Sequence, residues 1–150
     1  MNPRNHQIAA LILRVAMGAW FVTAGGMKIF ATGLDRFVVD IENYQLVSHD
    51  LAVITAYLIP WLEVVAGICF MLGVLRKGAW LAMVGLVLAF SISVGSAWAR
   101  GLDISCGCLG GTEKISYWRK VIEFALYYVV LAYIAYVEWR TPGTPAIDSE

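Results

Sequence analysis

The sequence predicts an all-α membrane protein: a four-helix transmembrane bundle with one amphipathic interfacial helix in the first loop. Three observations predict it. Hydrophobic residues make up 60% of the chain and charged residues 15%, where soluble domains carry about 25% charge. Mean hydropathy is +0.71, which is more apolar surface than a core of this size can bury, so lipid must be part of the solvent. Four apolar runs reach the roughly 20 helical residues that cross a bilayer. None alternates with the period of two expected of a barrel strand. Backbone groups in hydrocarbon must then be satisfied within each segment, and helices do that.

The four spans are expected at about 8–30, 51–75, 78–98 and 121–139, within a single domain covering 1–150. The first is too long for a signal-peptide core and lacks a small-residue cleavage pattern, so it reads as a helix. Between the first two spans, Leu34, Phe37, Val38, Ile41, Tyr44 and Val47 recur at helical spacing. Asp35, Arg36, Asp40, Glu42 and Asn43 fill the opposite face. This is an amphipathic helix that either lies on the membrane surface or caps the bundle. Leu75-Arg76-Lys77-Gly78 reads as a tight turn that makes the second and third spans antiparallel neighbours. Trp98, Tyr117 and Trp118 flank the third loop and mark an interfacial level. The tail over 141–150, with Pro142, Gly143 and Pro145, predicts disorder.

Charge narrows the function classes. Net charge is zero without a basic tail, which argues against nucleic acid as a partner. Three cysteines are too few for a disulfide framework. Basic residues divide almost evenly between the two sides of the bundle, so they set no orientation.

The chemistry-bearing stretch is Ser105-Cys106-Gly107-Cys108-Leu109-Gly110-Gly111 in the third loop. Disulfide geometry places two Cα atoms about 5.5–6 Å apart. An extended Cys-Gly-Cys backbone holds them slightly farther, so the chain must bend, and Gly107 permits it. A bond closed in so small a ring is strained and easily reduced, which suits electron shuttling. Lys114, Arg119 and Lys120 follow closely and, folded back, would favour the thiolate. Two other readings stand beside redox exchange: inert interfacial thiols, or a soft-metal site shared with His49. Cys69, deep in the second span, reads as a small hydrophobe.

Lys28 and Glu63 are the informative ionisable residues within the spans, because a charge at mid-bilayer costs about 2.5–3.5 kcal/mol on insertion scales. Lys28 and Arg14 are rival partners for Glu63. The pair either locks the first two spans together or forms a polar site for a quinone head group or proton uptake. Glu123 is expected to pair locally with Arg119 or Lys120. Gly25, Gly26, Gly67, Gly73 and Gly85 are candidates for close helix contact. Trp20, Trp61 and Trp80 are candidate pocket walls, or simply packing aromatics.

From about Ile8 to Tyr136 the chain resembles the DoxX-like membrane proteins, and within them the MauE-type redox-associated branch. The resemblance is carried by Ala24-Gly25-Gly26-Met27-Lys28, by Phe37 and Tyr44, by Pro60-Trp61-Leu62-Glu63-Val64-Val65-Ala66-Gly67, and by Leu72-Gly73. Its most specific part is Arg100-Gly101-Leu102-Asp103-Ile104-Ser105-Cys106-Gly107-Cys108-Leu109-Gly110. Leu109 stands where the family usually has Phe. The resemblance implies a four-helix membrane bundle handling thiol electrons outside the cytoplasm, with Cys106 and Cys108 as a redox-active disulfide and Lys28 and Glu63 as intramembrane polar residues. It implies a thioredoxin-like extracytoplasmic partner and an exported disulfide-containing substrate, since MauE-type proteins are associated with methylamine dehydrogenase maturation. DoxX relatives are linked to quinone-coupled sulfur oxidation, which makes a quinone the candidate cofactor. With one cysteine pair where disulfide-generating quinone reductases use two, any relay needs a partner's thiols.

The expected function is therefore a membrane thiol–disulfide oxidoreductase, with no resident metal. It would sit in the inner membrane with loops one and three external, because disulfides persist in oxidising compartments. The rival functions are a non-catalytic membrane anchoring subunit and a Cys/His soft-metal-binding membrane protein.

Overall fold

The computed structural model describes residues 3–102 and 116–140. The described residues contain no strand and form five α-helices: α1 (Pro3–Gly26), α2 (Leu34–Asn43), α3 (His49–Leu72), α4 (Arg76–Ala99) and α5 (Tyr117–Arg140). A π-helical turn, Met27–Thr32, continues α1. All but α2 are long and apolar enough to cross a membrane, so the protein is multi-pass. Large side chains such as Ile12, Leu58, Leu81 and Val129 are exposed on the helix exteriors, as lipid-facing residues are.

The spans begin and end where backbone geometry dictates, a few residues from where hydropathy places them. The first runs over Arg4–Thr32, the third over Arg76–Ala99 and the fourth over Tyr117–Trp139, because polar flanking residues extend each helix beyond its apolar run. The second stops at Leu72 rather than Leu75. Gly73 follows in the left-handed conformation (φ 71°) and its N–H caps the Cys69 carbonyl. Arg76, Lys77 and Gly78 accordingly open α4 instead of forming the turn. At the other end of the bundle, Gly33 (φ 84°) breaks the chain between the π turn and α2, a conformation that a side chain disfavours.

α1 and α3 are antiparallel and nearly in backbone contact. A Cβ on Gly18 would lie 2.7 Å from the Gly67 carbonyl oxygen, and one on Gly67 would lie 2.8 Å from that of Gly18. Small residues let helices approach in this way where lipid gives no hydrophobic drive. Gly18 was not among the expected contact residues, whereas Gly26 and Gly85 were, and neither has an atom near its Cβ position. Met17, Phe21, Phe70, Met83, Leu86, Leu131 and Ile134 fill the centre between the four spans.

The amphipathic helix exists and caps the bundle. Phe37 and Val38 of α2 pack on Ala52 and Ala56 of α3. Tyr44 and Val47 lie past its end. Asp40 departs from expectation: it is only 8% exposed. It stands three residues after Phe37, and side chains three apart share a helix side, so docking of Phe37 carries Asp40 inward.

Candidate functional site

The site is built from the π turn that ends the first span and the middle of α3. Glu63 lies 14 residues beyond His49, about 21 Å along the helix axis. α3 continues unbroken through Pro60, whose ring removes one hydrogen bond to the Ala56 carbonyl. Gly25 lets α1 approach there: a Cβ at Gly25 would lie 2.6 Å from the Pro60 carbonyl oxygen and 3.0 Å from Glu63 Cβ. One turn later the helix widens into its π segment, a rare geometry often found at functional positions.

Lys28, in that segment, donates to both carboxylate oxygens of Glu63, at 2.6 and 2.8 Å. The side chains are 1% and 2% exposed. Lys28 Nζ also stands 5.2 Å from the centroid of the Phe37 ring and 5.0 Å from that of Phe90, within cation–π range. The ammonium thus faces two aromatic rings and a carboxylate, which together replace its hydration. Of the two rival partners for Glu63, Lys28 is the one. Arg14 reaches Glu138 instead, at 2.9 Å.

Two cavities meet at Lys28 and Phe90. One, of about 50 Å3, separates the pair from Glu123 of α5 and is lined by Glu63, Lys120, Glu123 and Tyr127 among others. Its walls are mostly apolar, and its size suits one or two waters held by the few polar groups that border it. Glu123 pairs locally as expected, accepting from Lys120 Nζ at 2.8 Å, and also accepts from the Tyr127 hydroxyl at 2.6 Å. The second cavity, of about 140 Å3, lies under α2 and includes Phe37, Asp40, Tyr44 and Ser93 in its wall. Burial pushes the Asp40 carboxyl above its ordinary value, while the charge of Arg36 opposes that shift.

Cys106 and Cys108 lie outside the described residues, as does the predicted disordered tail. The two ends of their loop are held together. Trp98 and Tyr117 stack with centroids 6.0 Å apart, and the Tyr117 hydroxyl donates to the Leu102 carbonyl. Arg100, last before this loop, donates to the carbonyls of Tyr44 and Gln45. The α2 cap and the cysteine loop therefore share one end of the bundle and one clamp.

His49 pairs with Glu42 at 2.5 Å, and among the described residues no group of three or more His, Cys, Asp or Glu is placed to hold a metal. Cys69 is a half-buried free thiol packed against the central cluster. Trp20 lines the smaller cavity. Trp80 packs on Trp139 and donates to the Leu131 carbonyl, whereas Trp61 is exposed on the exterior.

Sequence reasoning missed three features of the site. The π turn carries no compositional signal. Asp40 reads as part of a polar face. The link between Tyr127 and Glu123 was visible only as an i, i+4 spacing.

No curated protein and no solved structure matches the chain. One family model does, that of Methylamine utilisation protein MauE, over residues 6–138. With nearly the whole bundle and its buried Lys28–Glu63 pair inside that match, the chain belongs to the MauE family of membrane proteins.

Proposed function

We propose that the protein is a thiol–disulfide oxidoreductase that passes electrons from a thioredoxin-like extracytoplasmic protein into the membrane through Cys106 and Cys108. The observation that carries this reading is the Cys106-Gly107-Cys108 pair in the loop between two membrane spans, where a scaffold has no need of it. A partner thiolate attacks one sulfur of the Cys106–Cys108 disulfide, forming a mixed disulfide as the internal bond breaks. The partner's second thiolate then attacks that bond and releases the reduced pair. Two electrons pass from partner to loop, and the partner leaves oxidised. The oxidised partner in turn supports disulfide formation in an exported substrate, consistent with the methylamine utilisation role in the family's name.

Reoxidation of the loop requires an acceptor of two electrons and two protons, which a lipid-soluble quinone supplies when bound. The intramembrane residues fit such a group. Lys28 and Phe90 border both cavities, which offers aromatic walls beside a fixed cation. Glu63, Glu123 and Tyr127 line the smaller cavity and form a path of proton-exchanging groups toward the end of α5 that adjoins the cysteine loop. Lys28 holds Glu63 in place through two hydrogen bonds. This reading puts the protein in the inner membrane with the cysteine loop and α2 on the external side.

The test is to trap the exchange intermediate. Cys106→Ser and Cys108→Ser variants expressed in the native host should yield, for one of them, a mixed disulfide with a thioredoxin-like protein on a non-reducing gel. Absence of an adduct with either variant, together with full function of the double serine variant, contradicts the proposal and favours a non-catalytic anchor.

A further inference from the structure

The cavity under α2 combines three properties that together select a ligand. Its volume is about 140 Å3, and apolar cavities near 150 Å3 hold a single benzene ring. Its walls include the rings of Phe37, Tyr44 and Phe90, which suit a flat aromatic group. Asp40 is the third. It is only 8% exposed and lines the cavity, yet among the described residues its carboxylate takes part in no hydrogen bond or ion pair. Its oxygens are not sealed in protein, since the fully buried side-chain atom without a partner among the described residues is Arg14 Nε, so the carboxylate is open to whatever fills the cavity. Lys28, in the same wall, is engaged by Glu63, and the Ser93 hydroxyl donates to the Ala89 carbonyl at 2.9 Å. The charged acceptor that the site offers is the Asp40 carboxylate, beside the Thr55 and Ser93 hydroxyls of the same wall, and a ligand that binds it must bring the donor.

We infer that the cavity under α2 is a binding site for the hydroxylated ring of a lipid-soluble quinol, with Asp40 accepting a hydrogen bond from the ring hydroxyl. This deepens the redox reading and rests on it for its biological sense, because a quinol is the product of the reoxidation step. The binding itself needs no cysteine. The placement also accounts for the clamp: Arg100 fastens the chain after α2 to the end of α4, so the roof of the cavity and the root of the cysteine loop are held together.

The test measures binding of a radiolabelled decyl-tailed benzoquinol to the full chain in lipid nanodiscs, corrected for empty discs. Asp40→Leu removes the acceptor, and Ala89→Phe fills the cavity from α4. Each should weaken binding by roughly tenfold or more, the worth of one hydrogen bond to a charged group. The dimethyl ether of the same quinol, which has no donor, should bind wild type as weakly as the quinol binds Asp40→Leu. Thermal unfolding of each variant confirms that the bundle is intact. The Cys106→Ser/Cys108→Ser double variant should bind like wild type even though it cannot cycle, so a failure of the redox reading leaves this result standing. Equal affinity for wild type, Asp40→Leu and Ala89→Phe overturns the inference, as does equal affinity for the quinol and its ether or no saturable binding to wild type.

Discussion

Among the described residues two ion pairs join the first span to other helices, and they differ in depth. Arg14–Glu138 lies toward the end of the bundle away from the cysteine loop, with side chains 12% and 23% exposed. Lys28–Glu63 joins the turn that ends the first span to the middle of α3, with side chains 1% and 2% exposed. The Arg14 guanidinium stands beside Gly73 and Glu138, where α3 and α5 end, so its head lies close to the polar interface. Lys28 is instead held inside by Glu63, Phe37 and Phe90, and each charge there must be satisfied by the protein. α1 and α3 already meet through Gly18, Gly25 and Gly67, so the deep pair is not needed to bring them together. The outer pair fastens the bundle, whereas the inner pair holds a polar point in hydrocarbon at a cost that packing alone does not require.

The largest expected effect breaks the inner pair. Glu63→Gln or Lys28→Met leaves one buried charge uncompensated and should destabilise the protein by about 3–5 kcal/mol, measured by thermal unfolding in detergent. The double variant Lys28→Met/Glu63→Leu should recover most of that stability, because an apolar replacement of both partners is often neutral or better. It should nonetheless lose function in cells. A stable and fully functional double variant would reduce the inner pair to the role of the outer one.

Next is the spacing that sets both pairs. Gly67→Leu forces α1 from α3 and should cost roughly 1–3 kcal/mol, as overpacking does. Gly85→Ala, with open space at its Cβ position, should instead stabilise α4 by up to about 1 kcal/mol. Equal effects at the two positions would contradict the helix contact described for α1 and α3. The outer pair comes third. Arg14→Ala leaves the mostly buried Glu138 without its partner and should cost about 1–2 kcal/mol, and leave function unchanged.

The smallest effect is one of pH. The folded Asp40 carboxyl titrates above its ordinary value, so its contribution to stability is fully present below the unfolded pKa and is lost as pH rises through the folded pKa. Asp40→Asn should therefore gain on wild type as the medium goes from acid to neutral, in unfolding temperatures measured across that range. A difference independent of pH would show that burial does not disfavour the Asp40 charge.

The sequence made the inner pair legible and the outer pair not, for one reason. Lys28 and Glu63 each interrupt a long apolar run, and a charge in that setting demands a partner. Glu138 sits beside Trp139 and Arg140, where a charge needs no explanation, so in the sequence Arg14 reads as a rival for Glu63. The four spans and the amphipathic helix followed from hydropathy and period. Their ends did not, because Gly33 and Gly73 act through backbone angles that hydropathy does not record. Asp40 shows the limit of a helical stripe: a polar residue at its edge is carried inward when the stripe docks on α3 rather than on lipid. Neither the π turn nor the Gly18–Gly67 contact leaves a periodic trace, since each depends on the register of one helix against another.

The most direct measurement is alkylation of Cys106 and Cys108 in intact cells with a membrane-impermeant maleimide, before and after mild reduction. The account predicts little labelling of the pair at first and labelling of both thiols from outside once they are reduced. Thiols that react fully without reduction, and only after the membrane is permeabilised, would contradict it.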